Sequence, residues 1–349
     1  MTPPSSRGFA IIGLGMIADF HAQAIAGLRG GRLVGVASRD LNRARAFAAR
    51  HQVGFATDRI DQLCARPDVD VVCITTPAAA HMEPALECIR AGKHLVIEKP
   101  LDVSTERIDR ILAAAESAGV VVAAIFQGRL GDGANAIKTA VAGGRLGRVV
   151  LASAAVKWHR DARYYAGPRG TLAADGGGVL MNQAIHSIDL LQWYAGLPRE
   201  VNCRVARRVH LGIETEDTAC ATLQFPDGAL GTLEATTGAW PGWSRRIELC
   251  GEKGSVALED DRIVRWDFDE ARPGDADFRV TASAASLGSG ASAANAITAL
   301  GHQRQLQDLV DALQNNRAPA VDGKAARNAV AIVQAMYESA RRGVAVAVE

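Results

Sequence analysis

The feature that most constrains this chain is a short apolar strand, Phe9 to Ile12. It runs directly into Gly13-Leu14-Gly15-Met16-Ile17-Ala18 and then into a helical pattern that reaches Leu28. Two glycines and a small residue at this spacing, between a strand and a helix, suit a dinucleotide. The first glycine makes the turn, the second lets the backbone approach a pyrophosphate, and Ala18 permits close helix packing. Alone, the loop also reads as an ordinary tight turn, so its surroundings decide. After it, short β-branched runs alternate with helical patterns: strands at Leu33–Ala37, Val69–Ile74, His94–Ile97 and Val120–Phe126, and helices at Asn42–Arg50, His81–Ala91 and Ser104–Ser117. Continuous apolar strands of this kind are expected where helices cover both faces of a parallel sheet. The pattern predicts a doubly wound Rossmann-type domain over residues 1–125.

Beyond residue 125 the pattern changes. A helix near Ala134–Ala142, a strand at Val149–Val156 and a helix at Leu180–Tyr194 lead into a run of strands: Val201–Val209, Asp217–Gln224, Ala229–Thr236, Ser244–Cys250 and Ser255–Leu258. Turns such as Pro226-Asp227-Gly228 link them, which suggests an open, mainly antiparallel sheet in a second domain, 126–349. The Ser/Ala/Gly-rich stretch Thr281–Asn295 reads as a mobile loop, and helices near His302–Asn315 and Lys324–Arg342 close the chain. The whole is an α/β chain of two domains, as 349 residues would suggest.

Composition removes other classes. With 39 basic and 38 acidic residues the net charge is +1, leaving no excess to neutralise phosphates, so no nucleic-acid or membrane-surface partner is expected. The six cysteines lie apart, without a CxxC pair or a Cys/His cluster at zinc spacing, and no metal site is expected. No stretch approaches the roughly 20 apolar residues that span a bilayer. A cytoplasmic protein is the expectation.

Three further features carry chemistry. The second strand ends Ala37-Ser38-Arg39-Asp40, so a hydroxyl and a guanidinium stand where NAD-binding chains often place an acid on the ribose 2′-hydroxyl. That favours NADP over NAD, although an arginine also stacks on adenine above an unphosphorylated ribose. Glu98-Lys99-Pro100 follows the strand His94–Ile97, at the sheet end where ligands bind, and its charges would emerge toward a nicotinamide. A partly desolvated lysine there has a lowered pKa and can relay a proton; the bland alternative is a surface pair before a turn. Asp175-Gly176-Gly177-Gly178 precedes a helix on which Asn182 and His186, four apart, share a face. Trp158, Tyr164 and Tyr165 could line a sugar pocket or simply pack on the sheet. His302, on the apolar stripe of Leu306 and Leu309, reads as structural.

Taken together, the glycine loop, Thr76-Pro77 with His81, Gly92-Lys93-His94 running into Glu98-Lys99-Pro100, and the stretch from Gly176 to His186 make the chain resemble the Gfo/Idh/MocA family of NAD(P)-dependent oxidoreductases. The resemblance spans nearly the whole length. It implies a Rossmann domain, a C-terminal α/β domain with a large open sheet, and homodimers or homotetramers packed through those sheets. It assigns Lys99 and His186 to proton transfer. Gly13, Gly15, Met16, Ile17, Ser38, Arg39, Thr76, Pro77, His81, Glu98, Lys99 and Arg169 would hold the cofactor, and Lys99, Trp158, Tyr164, Tyr165, Asn182 and His186 the substrate. Many members carry Asp where this chain has Asn182; an amide cannot be a base. The Asn-Gln-x-x-His version resembles members acting on sugars or sugar nucleotides, including at C3.

The expected activity is hydride transfer between a nicotinamide and a secondary hydroxyl or ketone of a carbohydrate. Two alternatives stay open: a glycosidase that oxidises C3 transiently and regenerates its NAD, and a non-catalytic nucleotide sensor.

Overall fold

The computed structural model describes residues 6–280, 287, 290–292 and 298–349. Thr281–Asn295, expected to be a mobile loop, therefore lies outside the described residues except at Leu287 and 290–292.

In chain order the elements are β1 (Arg7–Ile12), α1 (Met16–Ala26), β2 (Gly31–Ala37), α2 (Leu41–Arg50), β3 (Ala56–Thr57), α3 (Ile60–Cys64), β4 (Val71–Ile74), α4 (Met82–Arg90), β5 (His94–Ile97), α5 (Thr105–Ala118) and β6 (Val122–Ala124). Then come α6 (Asp132–Ala142), β7 (Val149–Lys157), α7 (Leu172–Asp175), a π-helical turn Leu180–Ala184, α8 (Ile185–Ala195), β8 (Glu200–Ala206), β9 (Thr218–Gln224) and β10 (Leu230–Thr236). The chain ends with β11 (Arg246–Gly251), β12 (Gly254–Glu259), β13 (Arg262–Phe268), α9 (Asp275–Val280), α10 (Leu300–Gln314), α11 (Gly323–Arg342) and β14 (Val346–Ala347).

The chain divides into two compact units, the first made of residues up to Gln127 with Ala299–Arg327, the second of Gly128–Thr298 with Asn328–Glu349. In the first, six strands pair in the order β3-β2-β1-β4-β5-β6, all parallel. The strand order reverses between β1 and β4, and a crevice opens at such a switch point, outside the carboxyl ends of the strands. Its core joins Phe9, Ile11, Val36, Val71 and Cys73 to Leu306, Leu309 and Val310 of α10, which packs on α1. Within this unit β4 is buried throughout and β5 over all but its first residue, as a sheet covered on both faces requires.

Among the described residues the second unit holds eight strands in the order β13-β12-β11-β7-β10-β9-β8-β14. Only β7 and β10 run parallel; the remaining pairs are antiparallel. Burial alternates along β9 and β10, so one face of the sheet packs inward and the other is open. The strand expected to run to Val209 stops at Ala206, because the Asp217 carboxylate takes the amides of Arg208, Val209 and His210 at 2.7–2.8 Å.

Candidate active site

The glycine loop leaves β1 and enters α1. Gly13 has φ +91°, and a Cβ there would meet the Thr76 backbone nitrogen at 2.7 Å, so both the turn and the close approach of the β4 loop require glycine. Gly15 is different: a Cβ there would meet nothing within 4 Å. It caps α1 without any side-chain hydrogen bond, so the first amides of that helix, with Met16 exposed and Ile17 half-buried, face open space. Ala18, fully buried, lets the helix sit close. A diphosphate fits this cradle: free helix N-terminal amides, a positive dipole end and no side chain in the way.

At the end of β2, Ser38 is half-buried and Arg39 exposed. The nearest acid, Asp40, accepts from the Asn42 and Arg43 amides at 2.9 and 3.2 Å and so caps α2. Across the switch point, the Thr76 hydroxyl donates to the Ala80 carbonyl at 2.9 Å and Pro77 is exposed. His81 is buried between two loops, its Nδ1 3.0 Å from the Pro100 carbonyl and its Nε2 2.9 Å from that of Thr76. Burial favours the neutral ring and lowers its pKa, against the pull of these carbonyls. His81 thus sits between the loop after β4 and the loop after β5, and as a neutral ring donates to one of them.

Of the two charges expected to emerge after β5, only Lys99 does so: it is half-exposed, whereas Glu98 turns inward and is buried. Glu98 Oε1 accepts from His21 Nε2 on α1 at 2.8 Å and from His302 Nε2 on α10 at 3.2 Å, and Oε2 accepts from the Lys99 backbone amide at 3.1 Å. Burial alone would raise the Glu98 pKa, but the two imidazole hydrogen bonds outweigh it and hold the carboxyl well below its usual range. Burial lowers the His21 pKa, consistent with a neutral ring donating its single proton. These three residues are the kinds of donor a divalent cation uses, yet the spacing is that of two N–H groups on one carboxylate oxygen. Sequence reading passed over His21. Its signal was a histidine on the buried stripe of α1, beside Ala18, Ala22 and Ile25.

In the second unit the glycine run packs tightly. A Cβ on Gly177 would meet the Tyr337 hydroxyl at 2.2 Å, and one on Gly178 the Glu216 carbonyl at 1.9 Å. The Glu216 carboxylate accepts from the Gly178 and Leu180 amides at 3.1 and 2.9 Å and from the Tyr337 hydroxyl at 2.9 Å. Burial raises the Glu216 pKa despite these donors. Glu216 therefore caps the π-helical turn, where an extra residue per turn re-aims the side chains ahead of α8. From Gly177 to Gln192 every residue is buried except Asn182 and His186. Asp189, three residues after His186, is not its partner: it forms a buried bidentate pair with Arg129 at 2.7 and 2.8 Å.

The aromatic residues divide. Tyr164 is half-buried, its hydroxyl accepting from Gln183 Nε2 at 3.0 Å, and the Arg169 guanidinium lies 4.4 Å from its ring centroid. Tyr165 meets Thr237 at 2.9 Å and its ring packs, tilted, against His210. Trp158 is buried, with the Arg160 guanidinium over its ring.

Comparison with known proteins agrees with this architecture. Residues 7–126 match the oxidoreductase family with an NAD-binding Rossmann fold, and residues 134–257 match the GFO/IDH/MocA C-terminal domain. Inositol 2-dehydrogenase of Rhizobium meliloti is 29% identical over 260 residues, 73% of this chain and 76% of that protein. The structure of the WlbA dehydrogenase from Bordetella pertussis, in complex with NADH and UDP-GlcNAcA, superposes with a TM-score of 0.86 at 29% identity, covering 99% of each chain. Aldose-aldose oxidoreductase from Caulobacter crescentus, complexed with glycerol, shares the fold with a TM-score of 0.83 at 23% identity, over 98% of this chain and 99% of that one. No helix among the described residues is long and apolar enough to cross a membrane. With a phosphate cradle at the switch point, the Glu98-Lys99-Pro100 loop and two matched domains, the chain belongs to the Gfo/Idh/MocA family of NAD-binding oxidoreductases.

Proposed function

We propose that this protein transfers a hydride between nicotinamide and a secondary hydroxyl or ketone of a sugar, glycoside, polyol or sugar nucleotide, with C3 the favoured position. The observation that carries this reading is the exposure pattern of one segment: Asn182 and His186 alone reach the surface of a buried stretch of sixteen residues, Gly177 to Gln192. Polar groups so selected suit a substrate hydroxyl. Similarity to an enzyme solved with a sugar nucleotide supports the carbohydrate class.

The amides at the start of α1, within the Gly13–Ala18 loop, would hold the diphosphate, with Thr76 and Pro77 beside it. His81 and Glu98 would act through the loops they fix, Glu98 by anchoring the Lys99 amide, and Arg169 would serve the nicotinamide end. When bound, the cofactor supplies hydride chemistry. Lys99 or His186 accepts the hydroxyl proton in oxidation and returns it in reduction, while Asn182 orients the substrate as donor and acceptor but moves no proton. Since Asp40 is committed to capping α2, Ser38 and Arg39 are left for the adenosine ribose and favour NADP. The open sheet face exposes Leu151 and Leu230, paired across β7 and β10, and is assigned to self-association as a dimer or tetramer. The setting assigned to the protein is the cytoplasm.

The test is a screen of free sugars, glycosides, inositols and UDP-sugars with both cofactors, read by nicotinamide absorbance. Turnover with a net absorbance change is expected. Hydrolysis without net change would replace this reading by the transient-oxidation glycosidase. Lys99→Ala and His186→Ala should each lower turnover by about 10²–10⁴-fold, the usual worth of acid/base catalysis, with cofactor affinity near that of wild type. Wild-type rates in both would refute the assignment. Arg39→Ala should shift the ratio of Michaelis constants toward NAD, and an unchanged ratio would remove NADP preference.

A further inference from the structure

Around the glycine run the second unit commits its acids to backbone amides. Asp175 holds the Gly170 amide at 2.7 Å, Glu216 those of Gly178 and Leu180, and Asp217 those of residues 208–210. Arg160 and Arg169, in the same stretch, make no ion pair among the described residues.

Arg160 is the unusual one. It is only 5% exposed. Its Nη1 donates to the carbonyls of His159 at 2.7 Å and Ala291 at 3.3 Å, and its Nη2 to that of Gly290 at 2.7 Å. Among the described residues its buried Nε has no partner. Carbonyls satisfy hydrogens without cancelling charge, and an unpaired buried cation is costly. Elsewhere in the unit, Arg129 presents its Nε and Nη2 edge to both oxygens of Asp189 at 2.8 and 2.7 Å. Arg160 has the same edge, with Nε unused and a second hydrogen on Nη2, and no acid on it. Its guanidinium lies 5.2 Å from the centroid of the Tyr164 ring, which also carries Arg169 and whose hydroxyl is bonded to Gln183, the neighbour of Asn182. Burial and the Arg169 charge both work against its ionisation, the Tyr164 phenol favouring it. An oxyanion that can accept two parallel N–H bonds, a carboxylate or a phosphate, is the ligand that matches a guanidinium edge.

We propose that Arg160, with Arg169 on the same Tyr164 ring, forms an anion subsite that recognises a carboxylate or phosphate carried by the sugar, so that acidic or phosphorylated sugars are the substrates rather than neutral polyols. This narrows the activity above, resting on the reading of Asn182 and His186 as the reacting end. Arg169 remains at the cofactor end and adds positive potential; Arg160 is the cation that reads the substrate.

The test compares kcat/KM for glucose, glucuronate, glucose 1-phosphate, UDP-glucose and UDP-glucuronate. At least one oxyanion-bearing sugar should exceed glucose tenfold or more. Preference for glucuronate identifies a carboxylate as the recognised group, and preference for glucose 1-phosphate or UDP-glucose a phosphate. In Arg160→Gln, whose amide can still donate to the surrounding carbonyls, that advantage should fall at least tenfold. Equal or better turnover of glucose in wild type, or equal losses for charged and neutral sugars in the variant, would overturn the proposal. The wild-type preference decides alone if Arg160→Gln does not fold. If no sugar is turned over at all, the hydride-transfer reading fails separately, and calorimetric titration of glucuronate and glucose 1-phosphate into wild type decides the subsite, absence of binding by both overturning it.

Discussion

Two buried glutamates stand beside the two candidate catalytic stretches, and their surroundings drive them in opposite directions. Glu98, 6% exposed, puts one oxygen between the imidazoles of His21 and His302 and the other on the Lys99 amide, and its pKa is held well down. Glu216, 8% exposed, accepts from two amides and the Tyr337 phenol, yet burial wins and its pKa rises. Both pin a loop that carries a proposed proton carrier. The difference lies in the partners: two imidazole N–H groups converge on one Glu98 oxygen and together outweigh its burial, whereas two amides and a phenol around Glu216 do not. A buried carboxylate can anchor a loop in either case, and the donors gathered on it decide whether hydrogen bonding or burial sets its pKa.

The largest effect that could break this comparison is expected from Glu216→Ala, which removes the acceptor from Gly178, Leu180 and Tyr337 together. At about 1–3 kcal/mol for each buried group left unpaired, the variant should unfold at a much lower urea midpoint. A wild-type midpoint would show that the carboxylate pins nothing. Next is the contrast in pH dependence. Glu98, with a depressed folded pKa, contributes stability present above its unfolded value near 4.3 and lost as pH falls toward the folded one. Glu98→Gln should therefore lose about 1.5–3 kcal/mol at pH 7, a deficit that shrinks on acidification. Glu216, with a raised folded pKa, loses stability as pH rises through that value, so the deficit of Glu216→Gln should shrink in the other direction, toward neutral pH. Parallel profiles from urea titrations between pH 3 and 7 would erase the distinction. The smallest effect belongs to His302→Gln, which keeps a donor near Glu98 and should cost about 1 kcal/mol, read as a slight drop in Tm with the acid limb still present.

Much of the first unit was legible because each strand and its covering helix are neighbours in sequence. The turn at Gly13 and the small residue at Ala18 are local requirements, and the helix cap at Asp40 is satisfied within three residues. The anchors were not legible for the opposite reason. His302 meets Glu98 across 204 positions, and Tyr337 meets Glu216 across 121. Each partner alone is an ordinary polar residue on a helix. Nor could periodicity reveal that Leu180–Ala184 is a π-helical turn, whose first amide is held by Glu216, 36 positions away. The pairing of Asp189 with Arg129 was hidden likewise, because the two lie 60 positions apart.

The burial pattern around Asn182 and His186 also bears on how this protein can change over time. Their neighbours from Gly177 to Gln192 are wedged into the interior, where almost any replacement endangers the whole chain. Positions 182 and 186 are released from that constraint, so selection for abundance and selection for activity separate there. A library scored once for intact protein and once for turnover should agree along the segment and diverge at these two sites. Such positions let a lineage exchange one substrate for another without first having to repair its fold.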